Sequence, residues 1–315
     1  MGLPGDDTLK WLVSRYATVR VAAGDAFEGA QLVTPTGEHF PDSFAQDADS
    51  VARLVRRMMT YTPLSEEIRI ELGFFEPEPA EGASGGDCGS CGPTSCAPAR
   101  KQAAQVGSRV EAVNGGYRLA LSVADVSDPV VLTSTVARSL GAMILAESAV
   151  GDVEDIAADS EIAAVATGFG VLVTAAAHIY GKSCGGVSVR RSTALTVEEA
   201  GFALALFCAV HEIKPSAARS HLAPSQREAF AMSTALLANN PEVIASLRDT
   251  PELLTDGIVT ITHETSFFAK LFGKRPERDR VAPAKVALPR SADDARRLAE
   301  AKALVQEALG DPASS

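Results

Sequence analysis

Residues 155–178 read DIAADSEIAAVATGFGVLVTAAAH, and the placement of this stretch decides the fold. From Ile162 to Ala177 it is the longest apolar run in the chain, interrupted by Thr167, Gly168, Gly170 and Thr174, with Glu161 just before it and His178 just after. A helix that crosses a membrane needs about 20 predominantly apolar residues. This run is shorter and is punctuated by small and hydroxylated residues. It therefore reads as a central helix buried inside a protein core, and no membrane insertion is expected.

Helices are expected on both sides of it. Upstream, Asp128 can cap and Pro129 suits a first helical position, while Val136, Leu140, Met143 and Ile144 recur on one face up to Glu147. Downstream, after the glycine-rich turn at Gly185-Gly186, Thr196 and Glu199 form a capping box that opens a helix over residues 197–210 with Phe202, Leu206 and Ala209 inward. Further helical pieces are expected over 225–239 and 241–247, whereas residues 258–271 yield no assignment. Ser291 and Asp294 can cap a last helix to Leu309, with Leu298, Ala301, Val305 and Ala308 on one face.

Toward the N-terminus, the runs 108–113 and 117–123 flank Asn114-Gly115-Gly116, residues that tolerate the positive φ of a tight turn, and so read as a hairpin. Ile68 to Phe75 alternates like a half-buried strand. Ala17–Ala22 and Ala30–Thr34 are β-prone and are expected as strands. Asp49 or Ser50 can cap a helix whose Val51, Leu54, Val55, Met58 and Tyr61 fall at helical spacing before Pro63. The expected fold is α+β, predominantly α. Its parts are an N-terminal α+β portion (1–80), a Cys/Gly/Pro-rich loop or linker (81–104), a helical core (105–272), and a tether with the C-terminal helix (273–315).

Charge and cysteine usage exclude several classes of function. The 29 basic and 40 acidic residues give a net charge of −11, which repels phosphate backbones, so nucleic acid is not expected as a partner. No basic segment followed by an apolar region opens the chain, and a cytoplasmic location is expected. Five cysteines, an odd number, do not form a secreted disulfide framework. Cys88, Cys91 and Cys96 are the one grouping with metal-like spacing, able to offer thiolates to zinc or iron if a remote group such as Cys184 or Cys208 completes the set. Without a second C-x-x-C pair, an oxidisable or merely Gly/Ser/Cys-rich loop accounts for them equally well.

Three stretches in order are similar to a bacterial family of uncharacterised function with a zincin-like core. They are Thr34-Pro35-Thr36 through Phe40-Pro41-Asp42, Asp155 to Gly170 ending Gly168-Phe169-Gly170, and LTVEEAGFALALF at 195–207. In that family the helix before the middle stretch carries His-Glu-x-x-His, two imidazoles one turn apart that grip zinc while the glutamate activates its water. Here the corresponding residues are Arg138-Ser139-Leu140-Gly141-Ala142, and that helix contains no histidine. The resemblance implies a third ligand at Glu161, and one carboxylate cannot hold a catalytic zinc.

Arg138 beside Glu161 can replace the metal with an ion pair, or can lie on the surface with its stem along the helix. Two other His-Glu pairs, His211-Glu212 and His263-Glu264, lack the second histidine. The pocket defined by Arg138, Ser139, Ala142 and Glu161 is thus the degenerate site, with no catalytic residue and no cofactor expected. The leading expectation is a non-catalytic domain that binds another protein or acts as a scaffold. The alternatives are a hydrolase with an altered site using Glu161 and His178, about 25 Å apart on a straight helix, and a metal or redox sensor built on the cysteines.

Overall fold

The computed structural model describes residues 2–76, 109–148, 155–183 and 186–263. Residues 1–264 form one compact unit. The expected linker, Cys88, Cys91, Cys96, Cys184 and the C-terminal helix lie outside the described residues.

This unit opens with α1 (Asp6–Ala23), whose Leu9, Leu12, Val13, Tyr16, Ala17 and Val19 are buried. Asp6 and Asp7 in its first turn and Arg20 in its last complement the helix dipole. The strand expected at 17–22 is therefore the last part of this helix. Thr18, Val19 and Val21 favour a strand locally, but the apolar stripe that begins at Leu9 continues through Ala17 and Val19 and is buried as a helical face, with Val21 turned outward. The strand expected at 30–34 is irregular backbone instead. Next, α2 (Ala48–Met59) is capped two residues before the first expected cap, because the Asp47 carboxylate accepts the Ser50 N–H at 2.7 Å.

Strand β1 (Arg69–Phe75) pairs in parallel with β3 (Gly116–Ser122), which pairs antiparallel with β2 (Val110–Val113), giving the order β1-β3-β2. Gly115 takes a φ of 80° in the hairpin turn. The short α3 (Val123–Val126) leads into α4 (Pro129–Glu147), whose Asp128 carboxylate accepts the N–H groups of Val130 and Val131.

The central stretch forms α5 (Ile156–Ala164), a π-helical turn over Val165–Phe169, and α6 (Gly170–Ala177). An antiparallel pair absent from the expectation follows, β4 (Ile179–Ser183) with β5 (Gly186–Arg190). Then comes α7 (Val197–Val210), opened by the capping box in which Thr196 Oγ1 accepts the Glu199 N–H and Glu199 accepts the Thr196 N–H. The helices α8 (Pro215–Arg219), α9 (Pro224–Ala238) and α10 (Pro241–Asp249) complete the unit with a 3₁₀ turn over Pro251–Leu254.

The fold is α+β and predominantly α, with a small mixed three-stranded sheet. Residues 129–147 and 156–177 are each long and apolar enough to cross a membrane by length and composition alone. Within the fold, however, 67% and 94% of their apolar windows are buried. Their apolar faces are consumed by neighbouring elements, as the central position of the 162–177 run requires.

Candidate functional site

Gly141 brings the candidate site together. A Cβ at this position would lie 2.0 Å from the Ser160 carbonyl oxygen, so only glycine lets α4 and α5 approach this closely. The approach sets Arg138 of α4 against Glu161 of α5, Nη1 to Oε1 at 3.5 Å, with the glutamate side chain fully buried and the arginine 13% exposed.

Both carboxylate oxygens have further partners. The backbone N–H of Ala194 donates to Oε1 at 2.8 Å and that of Leu195 to Oε2 at 2.9 Å. Arg138 also donates to Thr135 Oγ1 at 3.2 Å, and its buried Nε–H has no acceptor. Burial works against both charges. It pushes Glu161 up to about 7 against the downward pull of Arg138 and the two backbone N–H groups, and it lowers Arg138 against the pull of Glu161.

The other two degenerate positions supply no chemistry. Ser139 is buried and its hydroxyl donates to the Thr135 carbonyl of its own helix at 2.8 Å, while Ala142 offers only a methyl group. The residues do not fit zinc. Glu161 has its lone pairs engaged by N–H donors and a cation beside it, and among the described residues no three His, Cys, Asp or Glu side chains converge on one point.

Glu161 is turned onto residues 194–195, and the π-helical turn between Glu161 and His178, where Gly168 takes φ 106°, ends the straight helix on which a shared face was reckoned. Gly168-Phe169-Gly170 is a packing device: a Cβ on Gly168 would lie 2.0 Å from the Gln31 carbonyl oxygen, and one on Gly170 2.7 Å from Leu204 Cδ1. No family model, curated protein or solved structure matches the chain. The zincin-like resemblance therefore rests on the three sequence stretches.

The remaining candidates are dispersed. Cys208 is buried on α7 and burial pushes its thiol up to about 12, which makes it an unreactive core residue. Glu212 pairs with Arg248 at 2.8 Å, and His263 meets Asp6 at 2.8 Å on the surface. His39, from the first of the three motif stretches, is buried beside Thr34, and the Tyr61 hydroxyl donates to its carbonyl at 3.0 Å.

Two buried groups escaped the sequence reading. Arg15 of α1 grips Asp159 of α5 with two hydrogen bonds of 2.7 and 2.8 Å, a second buried ion pair on the central helix. Tyr16, one residue on and fully buried, is the other. The helical period from Leu9 onward signals a buried face of α1, but no spacing in the sequence names Asp159 as a partner. The surface carries an apolar groove of about 620 Å³ between α7, α9 and α10, lined by Ala209, Ile213, Leu237, Ile244 and Ala245 with Glu212, Lys214 and Arg248 at its edge.

Proposed function

We propose that this chain is a non-catalytic, pseudo-metallopeptidase-like domain that acts by binding another protein. The observation that carries the reading is the state of Glu161. The one acid kept at a position where the resembling family places a metal ligand is fully buried, accepts two backbone N–H groups and pairs with Arg138. A carboxylate so engaged fixes residues 194–195 just before α7 and is committed to N–H donors and a cation rather than to a metal. The groove between α7, α9 and α10 is the surface assigned to the partner, since an apolar floor with charged edges suits the apolar face of a partner helix.

Two measurements test this. The purified protein, supplied with zinc, is expected to hydrolyse peptide substrates no faster than a blank; hydrolysis that disappears in Glu161→Gln sinks the proposal. In the second, Ala245→Arg fills the groove from an exposed position and is expected to retain the wild-type melting temperature while losing a partner captured by crosslinking. Capture unaffected by the arginine removes the groove from the reading. Metal analysis beside a Cys88→Ser/Cys91→Ser variant separates the sensor alternative, which requires stoichiometric metal that the variant lacks.

A further inference from the structure

Strand β1 is an open edge of its sheet. It pairs in parallel with β3 on one side, and among the described residues no strand lies on the other. Every second residue of an edge strand turns its N–H and C=O outward, where another chain can pair with them. Short strands, proline, lysine or a bulge are the usual means of blunting such an edge. The opposite edge, β2, is four residues long. β1 has seven, RIELGFF, without proline or lysine, and its register with β3 runs one to one from Arg69 to Phe75, so no bulge bends it away.

The inner face of the sheet is unfinished at the same edge. Tyr117, Leu119 and Leu121 of β3 are buried there, whereas Ile70 and Leu72 beside them are half-buried and Phe74 is 42% exposed. A groove of about 400 Å³ separates Ile68, Ile70 and Leu72 from Ala52, Val55 and Met59 of α2. A strand added beside β1 continues this apolar row with its alternate side chains.

The charges on the outer face select that strand. Arg69 and Glu71 are both exposed there, two residues apart. Arg118 donates to Glu71 at 3.4 Å, while Arg69 meets no carboxylate among the described residues. We propose that the occupant is β1 of a second copy, paired antiparallel about a two-fold axis that passes through Ile70 perpendicular to the sheet. Such an axis keeps both apolar faces on one side, so outer residues meet only outer residues. Centring the pair on Arg69 or on Glu71 sets like charges opposite each other. Centring it on Leu72 puts Arg69 opposite Phe75 and Glu71 opposite Gly73. Centred on Ile70, Arg69 lies opposite the partner's Glu71 twice, once on each side of the axis, and Ile68 lies opposite the partner's Leu72. The two three-stranded sheets join into one of six strands. This interface shares no residue with the groove between α7, α9 and α10.

Sedimentation equilibrium of the full-length chain tests the pairing, and the wild type is expected to dimerise with rising concentration. Arg69→Glu sets glutamate opposite the partner's Glu71, and Glu71→Arg sets arginine opposite the partner's Arg69, in each case twice. Either change is expected to weaken dimerisation about tenfold or more. Mixed in equal amounts, the two variants are expected to dimerise again, because the mixed pair regains two contacts of opposite charge. Should Glu71→Arg fail to fold beside Arg118, Ile70→Lys decides the matter, since it sets two ammonium groups at the axis and abolishes the dimer. A monomeric wild type leaves the edge to a different chain and overturns the assignment. A dimer that these variants leave intact overturns it equally, as does a loss between folded variants that mixing does not reverse.

Discussion

Glu161 sits where its own charge is disfavoured, and this gives the site a pH signature. Burial raises its carboxyl from 4.5 to about 7, against Arg138 and the N–H groups of Leu195 and Ala194. A carboxyl raised in the folded state binds a proton there that the unfolded chain has released. Its contribution is thus fully present below about pH 4.5 and is lost as pH rises through 7, about 3 kcal/mol in all. His211 works in the opposite sense. Burial, with Arg20 and Arg248 facing the ring, lowers it from 6.5 to about 4, so its contribution is present above 6.5 and is lost as pH falls through 4. Between pH 6.5 and 8 the glutamate loses its proton in the folded state while the unfolded chain's histidine loses the remainder of its own, so the two contributions run in opposite directions. Urea midpoints of the wild type are expected to fall across that interval relative to those of Glu161→Gln; equal slopes would remove Glu161 as the cause. Below pH 6.5, His211→Gln is expected to lose less stability on acidification than the wild type. Arg138 and Glu161 were legible as a pair because a motif marks their positions. Arg15 and Asp159 were not, since no spacing connects residues on helices so distant in sequence.

Helices were legible where their punctuation is local. Asp128-Pro129 and the Thr196–Glu199 capping box each fix a start within a few residues, and both starts stand where the residues place them. The first helix lacks such a marker, since Gly5 precedes it with no side-chain cap, and its β-branched end was readable only against the stripe beginning at Leu9. The β4–β5 pair showed only its glycine turn. What brings elements together was less visible than the elements, and Gly141 illustrates why. On helix propensity alone, Gly141→Ala would stabilise α4 by roughly 1 kcal/mol. Against this stands a methyl group 2.0 Å from the backbone oxygen of Ser160, which cannot rotate away. Forcing extra volume into a closed contact costs about 1–3 kcal/mol and sometimes more. The contact wins, so Gly141→Ala is expected to lower the urea midpoint and to pull Arg138 away from Glu161. A rise in stability would mean that the α4–α5 approach is looser than described.

At the scale of the whole molecule, one hydrophobic core draws on every region from Leu9 in α1 to Leu254 after α10, including the sheet through Leu119 and Leu121. This explains why the Arg15–Asp159 pair could not be read from sequence. Its members come from α1 and α5, and only the core that joins those helices makes them neighbours. The same core yields a prediction about independence. Among the described residues, its buried members and the partly buried residues packed on them, out to Ile261, fall within residues 1–264. A chain ending at Glu264 retains each of these residues, and one shared core predicts one cooperative transition. It is expected to unfold in urea in one transition, with fluorescence from Trp11 and far-ultraviolet circular dichroism giving coincident curves. Trp11 reports on α1 and the circular dichroism on the helices as a whole, so separated curves would mean that α1 leaves the core on its own. That result would detach Arg15 from Asp159 and undo the single core.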